Sequence, residues 1–449
     1  MKPRLERESL LASLAAYLTS DPAAASRFLA WLESRFAAIE PNVRAFLPEA
    51  GRFDRLRGDL ERLAFEGDDS EHRPLIYGMP FAVKDIFHVE GFTTRAGSQL
   101  PVDALQGEQA VSVGRLRRAG GLILGKTVTT EFAYFAPGPT TNPRRADHTP
   151  GGSSSGSAAA VAAGLAPLAL GTQTIGSINR PAAFCGAVGF KPSVGRIPTA
   201  GVIPLSPSLD HVGYFTPDAG SAAWVAPLLV DDWVDVPVGL TLSRLGIPTG
   251  PYLDHAEPEG RHQFEKVAAQ LQAAGYAVVE VECMPDFEDI VARHQLILAA
   301  EAARVHAQWF SSFPERYHQK TRALIEAGQL TSDLELEQAR AGRLALRAAL
   351  QGAMDEHGLD AWIAPSAPGP APHGLESTGD PVLNLPWTHA GMPTISIPSG
   401  VNDVGLPFGL QVIARFGQDA PLLEWGQMLE MALDFQAIHG LDDFLGDIA

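Results

Sequence analysis

Two serines and a lysine set the chemistry open to this chain. Ser153 and Ser177 lie in the Gly/Ser turns of PGGSSSGSAAAVAAGLAPLALGTQTIGSINRPAAFCGAVGFKP, residues 150–192, and Lys84 interrupts the apolar run MPFAVKDIF. A serine hydroxyl becomes a nucleophile when a neighbouring group takes its proton. A lysine buried among Phe81, Val83, Ile86 and Phe87 loses charge by desolvation and can be that group. Together they suggest acyl transfer. Each residue also has an ordinary reading: Ser177 as a turn or helix-capping serine, Ser153 as part of a flexible Gly/Ser loop, Lys84 as an edge-strand lysine reaching for water.

The surrounding elements decide between these readings. PLALGTQT reads as a buried strand, and Arg180-Pro181-Ala182-Ala183 as a helix start with Pro in its first turn, so Ser177 falls where strand becomes helix. There backbone N–H groups lack partners and suit a developing oxyanion. The glycines before Ser153 run straight into AAAVAAG, a helix whose start would be ordered. Upstream, 6–40 has helical periodicity, with Asp21-Pro22 as a helix start, and Ala110–Ala119 is an amphipathic helix between the strand-like runs IYGMPFAVKDIF and GLILGKTV. Strand, helix and strand in that order predict an α/β fold. Downstream, LSRLGIPTG, YAVVEVE, AWIAPS, PTISIPSG and LPFGLQVIA read as strands, and Pro258–Ala274, Asp286–Phe310 and Leu334–Glu356 as helices, with Ser311–Gly328 a polar interruption.

Composition narrows the function. Lys+Arg 34 against Asp+Glu 52 gives a net charge of −18, which repels nucleic acid, and no basic run offsets it. No stretch approaches the ~20 apolar residues of a membrane span, and Arg4, Glu6, Arg7 and Glu8 do not suit a secretory signal. Two cysteines, Cys185 and Cys283, make no disulfide framework and suit a reducing cytoplasm. The expected protein is cytoplasmic, unattached to membrane, and needs no metal or other cofactor.

The spacing of the three residues, 69 from Lys84 to Ser153 and 24 from Ser153 to Ser177, together with the flanking text, resembles the amidase signature family of Ser–cisSer–Lys hydrolases. The matching text includes GMPFAVKD, TNP, TPGGSSSGSAAAVAAGLAPLALGTQT, RPAAFCGAVGFKPSVGR, SLDHVG, AWIAPS, NLPWTHAGMPTISIPSG and GLPFGLQVIA. The resemblance implies a large, twisted, mixed central β-sheet flanked on both sides by α-helices. It implies one domain over 1–449, with an N-terminal helical segment at 1–65, a catalytic core at 70–215 and 360–415, and variable substrate-facing helices at 217–355. It assigns Ser177 as nucleophile, Ser153 as bridging serine after a cis Gly152–Ser153 bond, and Lys84 as terminal base. The backbone N–H groups of Thr174, Ile175, Gly176 and Ser177 would form the oxyanion hole. Tyr134, Phe135, Ser154 and Ile175 would line the substrate pocket, and Trp309 and Phe310 would contribute a pocket wall.

Four positions depart from that family's usual text. Gln173 replaces an aspartate, Ile175 a glycine, Asn179 an arginine now displaced to Arg180, and Ser155 a glycine of the first turn. Because a β-branched residue resists positive φ, any left-handed turn of the loop is expected at Gly176. Cys185 is expected as buried packing. The leading reading is a hydrolase of amide-type C–N bonds in small or aryl carboxamides, anilides or carbamates, with esterase side activity, acting as a monomer or homodimer. Two others stand beside it: the amidase subunit of a glutamine-dependent amidotransferase, and a non-catalytic binding protein on the same fold.

Overall fold

The apolar runs of the sequence meet in a single mixed sheet. The computed structural model describes residues 9–21, 23–66, 73–236, 240–435 and 440–448. Among them ten strands occur: β1 (Pro80–Lys84), β2 (Leu122–Thr127), β3 (Leu168–Gln173), β4 (Val188–Lys191), β5 (His211–Thr216), β6 (Arg244–Thr249), β7 (Ala277–Glu282), β8 (Ala361–Pro365), β9 (Thr394–Val401) and β10 (Pro407–Ile413). Their order in the sheet is β2-β1-β3-β5-β4-β9-β10-β8-β6-β7. Parallel pairs form the β2-β1-β3 end and the β8-β6-β7 end, and antiparallel pairs join them through the middle. Strands β1 to β5 and β8 are buried at every position, so both faces of the sheet are covered. The α/β expectation and the large mixed sheet are both met.

The helix Ser155–Ala162 shows why the small-residue run matters. Its sequence, SGSAAAVA, is buried throughout. A Cβ on Gly156 would stand 2.1 Å from the Ala45 carbonyl oxygen and 2.5 Å from Val128 N. Only a helix of small residues can lie this close to neighbouring backbone, and its start fixes Ser153, Ser154 and Ser155.

Elsewhere the sequence pattern is followed with local differences. The N-terminal periodicity becomes the helices Leu10–Ser20 and Ala24–Val43, while Pro22 and residues 1–8 lie outside the described residues. The helix expected over Asp286–Phe310 ends at Val305, and a second one runs from Ala307 to Ser312. The supposed polar interruption at Ser311–Gly328 contains the helix Gln319–Gly328. Its apolar face is short, but Thr321, Leu324, Ile325 and Gly328 are buried, and Gly328 lies directly against the Ala299 carbonyl. Tertiary packing here overrides weak local patterning. Among the described residues, no helix is long and apolar enough to cross a membrane.

Candidate active site

Lys84 is the last residue of β1 and Gln173 the last of β3, adjacent strands that run parallel. Their carboxyl ends therefore open into the same crevice, the usual place for a ligand in an α/β sheet. The Lys84 side chain is fully buried, with Nζ 2.8 Å from Ser153 Oγ and 2.7 Å from Thr172 Oγ1. Burial drives its pKa well below the ordinary lysine range, and the more distant charge of Asp210 opposes that shift only in part. Burial thus disfavours the charged amine and favours the neutral form, whose lone pair can take a proton. Asp210 has its own carboxyl pushed up to about 6 by burial, although Thr174 Oγ1 (2.6 Å), Leu205 N (2.9 Å) and Ser206 N (3.0 Å) all donate to it.

The Gly152–Ser153 peptide is cis, and Gly151 before it adopts φ +79°, which glycine tolerates. The Arg180 guanidinium holds this turn. Its Nη2 donates to the Gly152 carbonyl at 2.7 Å and to Thr378 Oγ1 at 3.1 Å, and its Nη1 donates to the Gly379 carbonyl at 2.8 Å. Ser155 Oγ donates to the Gly151 carbonyl at 2.7 Å, closing the turn from the other side. The displaced arginine and the extra serine therefore both brace the Ser153 turn.

Ser177 lies in the loop between β3 and the helix Asn179–Cys185 and is 7% exposed, open to the cleft beside it. Gln173 organises this loop. Its Oε1 accepts from Ile178 N (2.8 Å) and Asn179 N (3.0 Å), and its Nε2 donates to Thr388 Oγ1 (2.9 Å). Thr388 Oγ1 in turn donates to the Ile175 carbonyl at 2.7 Å. Asn179 Nδ2 donates to Thr394 Oγ1 (2.9 Å) and Gln411 Oε1 (2.7 Å). A neutral amide network thus stands where the family's usual text places charged groups. Among the described residues, none accepts a hydrogen bond from the N–H of Ile175, Gly176 or Ser177. Anchoring the Ile175 carbonyl to Thr388 turns the N–H of that peptide unit, which belongs to Gly176, the opposite way.

The loop makes no left-handed turn, at Gly176 or elsewhere between Thr174 and Ile178; the φ of Gly176 is not positive. The glycine is needed for space instead, because a Cβ there would stand 2.3 Å from Asn384 Oδ1.

Tyr134 and Phe135 stand across a narrow cleft from Thr174–Ser177, with Arg180, Leu205 and Pro381 completing its walls. Phe132 and Ala133 place them there in left-handed conformations (φ 47° and 60°), a strain of roughly 1–3 kcal/mol each. Phe132 N donates to the Ala96 carbonyl at 2.8 Å and helps hold the first. Ile175 shares the cleft wall. Ser154, expected at the pocket, turns inward instead: its Oγ donates to the Thr172 carbonyl (3.1 Å) and accepts from Thr172 N (3.3 Å). Trp309 and Phe310 also lie elsewhere, packed with Phe132, His306 and Tyr317. Cys185 is buried with its Sγ 3.3 Å from the Pro150 carbonyl oxygen, and burial raises its pKa, so it remains a thiol.

Sequence reasoning did not single out Thr172, Asp210 or Thr388. Asp210 lies in SLDHVG and Thr388 in NLPWTHAG, so both sit inside text that resembles the family while carrying no local signal of their own.

Comparison with known proteins agrees with this architecture. The chain is 32% identical over 456 residues to a glutamyl-tRNA(Gln) amidotransferase subunit of Synechococcus sp. (strain WH7803), covering 89% of this chain and 92% of that one. A solved amidase superposes with a TM-score of 0.84 at 32% identity, covering 94% of this chain and 99% of the other. Native peptide amidase from Stenotrophomonas maltophilia gives 0.79 at 26% identity, covering 97% and 98%. Residues 53–423 match the amidase family model, and this chain belongs to the amidase family.

Proposed function

We propose that the chain hydrolyses an amide-type C–N bond through an acyl-enzyme on Ser177. The observation that carries this is a fully buried lysine amine, its charged form disfavoured by desolvation, 2.8 Å from the Ser153 hydroxyl, with Arg180 of the Ser177 cleft holding the neighbouring Gly152 carbonyl. Ser177 Oγ attacks the carbonyl carbon while its proton passes to Ser153 Oγ, whose own proton passes to Lys84 Nζ. The N–H groups of the Ile175–Ser177 loop stabilise the oxyanion. On collapse the C–N bond breaks, the nitrogen takes a proton from Ser153, and Lys84 returns one to Ser153. Water then repeats the cycle on the acyl-enzyme, releasing the acid and regenerating the Ser177 hydroxyl. Among the described residues, Ser177 Oγ makes no hydrogen bond to Ser153 Oγ, and bound substrate is expected to tighten that link.

Two readings of the substrate share this chemistry. In the first the chain is a free-standing hydrolase of linear carboxamides, anilides or carbamates. The second is release of ammonia from glutamine within an amidotransferase, and the relatives that are amidotransferase subunits speak for it. A hydrolysis panel of acetamide, benzamide, acetanilides, aryl carbamates and glutamine separates them. Glutamine alone turning over, especially with a rise on adding partner subunits, establishes the second. Anilide or carbamate turnover by the isolated chain establishes the first, and no turnover of any member by a folded chain refutes both.

A further inference from the structure

The cleft directly over Ser177 encloses only about 10 Å³, room for a reacting group and little more. It shares Ala133, Thr174 and Leu205 with a second cavity of about 350 Å³, within the range of small-molecule sites. That cavity was not visible in the sequence, because its far wall is the loop Thr199–Leu205, folded back so that Ile203 N donates to the Ile86 carbonyl at 2.8 Å. Three features define what it holds.

The first is its position. Thr172, whose Oγ1 is 2.7 Å from Lys84 Nζ, forms part of the cavity wall, and so does Ile86, two residues beyond the lysine. The cavity therefore lies beside the lysine end of the relay, the side from which the departing nitrogen takes its proton from Ser153. The second feature is apolarity: Ile86, Val202, Ile203, Pro204, Leu205 and Val212 supply most of the surface. The third is the scarcity of charge, with Asp210 the one charged side chain among its lining residues. No lysine or arginine is among the lining residues, His211 is kept neutral by burial, and the one acid, Asp210, has its carboxyl pushed up to about 6 by burial and accepts from Thr174, Leu205 and Ser206. A protonated alkylamine would have Asp210 as its one counter-ion, already engaged by three donors and with its charged form disfavoured by burial, in walls that are otherwise mostly apolar. An arylamine leaves uncharged at neutral pH.

We infer that this cavity is a leaving-group subsite for an apolar arylamine, making the preferred substrates anilides carrying an alkyl or aryl ring substituent. This rests on the reading of Ser177 as the acylated residue. The C–N bond of the anilide breaks, the acyl group stays on Ser177 Oγ, and the nitrogen carries a proton from Ser153 into the cavity as neutral arylamine.

Calorimetric titration of the intact chain with aniline and 4-butylaniline tests the assignment without turnover. The butyl chain should tighten binding at least tenfold, since each buried methylene contributes a several-fold gain. Ile203→Phe, which fills the cavity, should abolish that gain. Ile203→Ala, which enlarges it and guards against misfolding of the first variant, should extend the gain to 4-hexylaniline. A flat amine series, or an equal gain in both variants, overturns the assignment. So does a comparable gain from acetate to hexanoate, which would make the cavity an acyl site. Fluorophosphonate labelling is run in parallel. A chain labelled at Ser177 with a flat amine series refutes the subsite alone, whereas a chain that takes no label refutes the acyl-enzyme reading beneath it.

Discussion

Replacing Thr388 by valine should slow acylation of Ser177 without removing any group from the relay. Thr388 is buried, and its Oγ1 links Gln173 Nε2 (2.9 Å) to the Ile175 carbonyl (2.7 Å). Valine keeps the shape and deletes both bonds, together with the longer one from the same hydroxyl to the Asn384 carbonyl (3.2 Å). The buried Gln173 amide N–H and the half-buried Ile175 carbonyl lose their partner, and each such loss costs about 1–3 kcal/mol when the group is kept from water. A stability loss of roughly 2–6 kcal/mol is therefore expected from the two together. The catalytic effect is separate. With its carbonyl released, the Ile175–Gly176 peptide no longer presents the Gly176 N–H steadily to the cleft, and loss of one oxyanion donor costs about 10²–10³-fold in rate. The assay is the second-order rate constant for fluorophosphonate labelling, which requires no knowledge of the natural substrate, with thermal unfolding measured alongside. Thr388→Ser, which retains the hydroxyl, should restore the rate to within about threefold of the unsubstituted chain. A folded Thr388→Val protein that labels within threefold of normal would show that the loop needs no such anchor.

Further consequences concern Lys84 and Arg180. Between the lowered pKa of folded Lys84 and the ordinary lysine value near 10.4, the unfolded chain binds the extra proton, so stability rises with pH across that window. In Lys84→Met that contribution vanishes, and chemical denaturation should show the stability difference from the unsubstituted chain changing by about 1.4 kcal/mol per pH unit; parallel curves would contradict a neutral buried lysine. The same deprotonation makes activity rise with pH through the folded pKa and then level, and a profile peaking below pH 6 would rule out the relay. Arg180→Lys loses the forked contact to the Gly152 and Gly379 carbonyls and should destabilise the protein by about 2–4 kcal/mol, read as a lower unfolding midpoint; an unchanged midpoint would mean the Ser153 turn holds itself.

The sequence disclosed what is local and hid what acts through a partner. Ser153, Ser177 and Lys84 each had an ordinary reading from its own neighbours, and it was their spacing together with flanking text resembling the amidase signature family that singled them out as candidates. Thr172 was not singled out, because a threonine inside LALGTQ looks like any buried strand residue until Lys84 Nζ is found 2.7 Å away. Thr388 lies 213 residues from the carbonyl it anchors, a separation no local pattern bridges. Ser154 shows the converse: adjacency to a reactive serine suggested a pocket role, but its hydroxyl is spent on the Thr172 backbone. Gly176 was read only as the place where a left-handed turn could fall, whereas crowding by Asn384 is what requires it. The strands were readable because buried β-runs are continuously apolar, while the helix Gln319–Gly328 escaped notice because only one narrow face is covered.

The most direct test of the account is intact-mass and peptide mapping of the chain after reaction with a small fluorophosphonate. The relay predicts one adduct per chain, located on Ser177, absent from Ser177→Ala, and formed orders of magnitude more slowly in Ser153→Ala and Lys84→Met. An adduct that persists at full stoichiometry in folded Ser177→Ala, or that forms at the normal rate without Lys84, would contradict it.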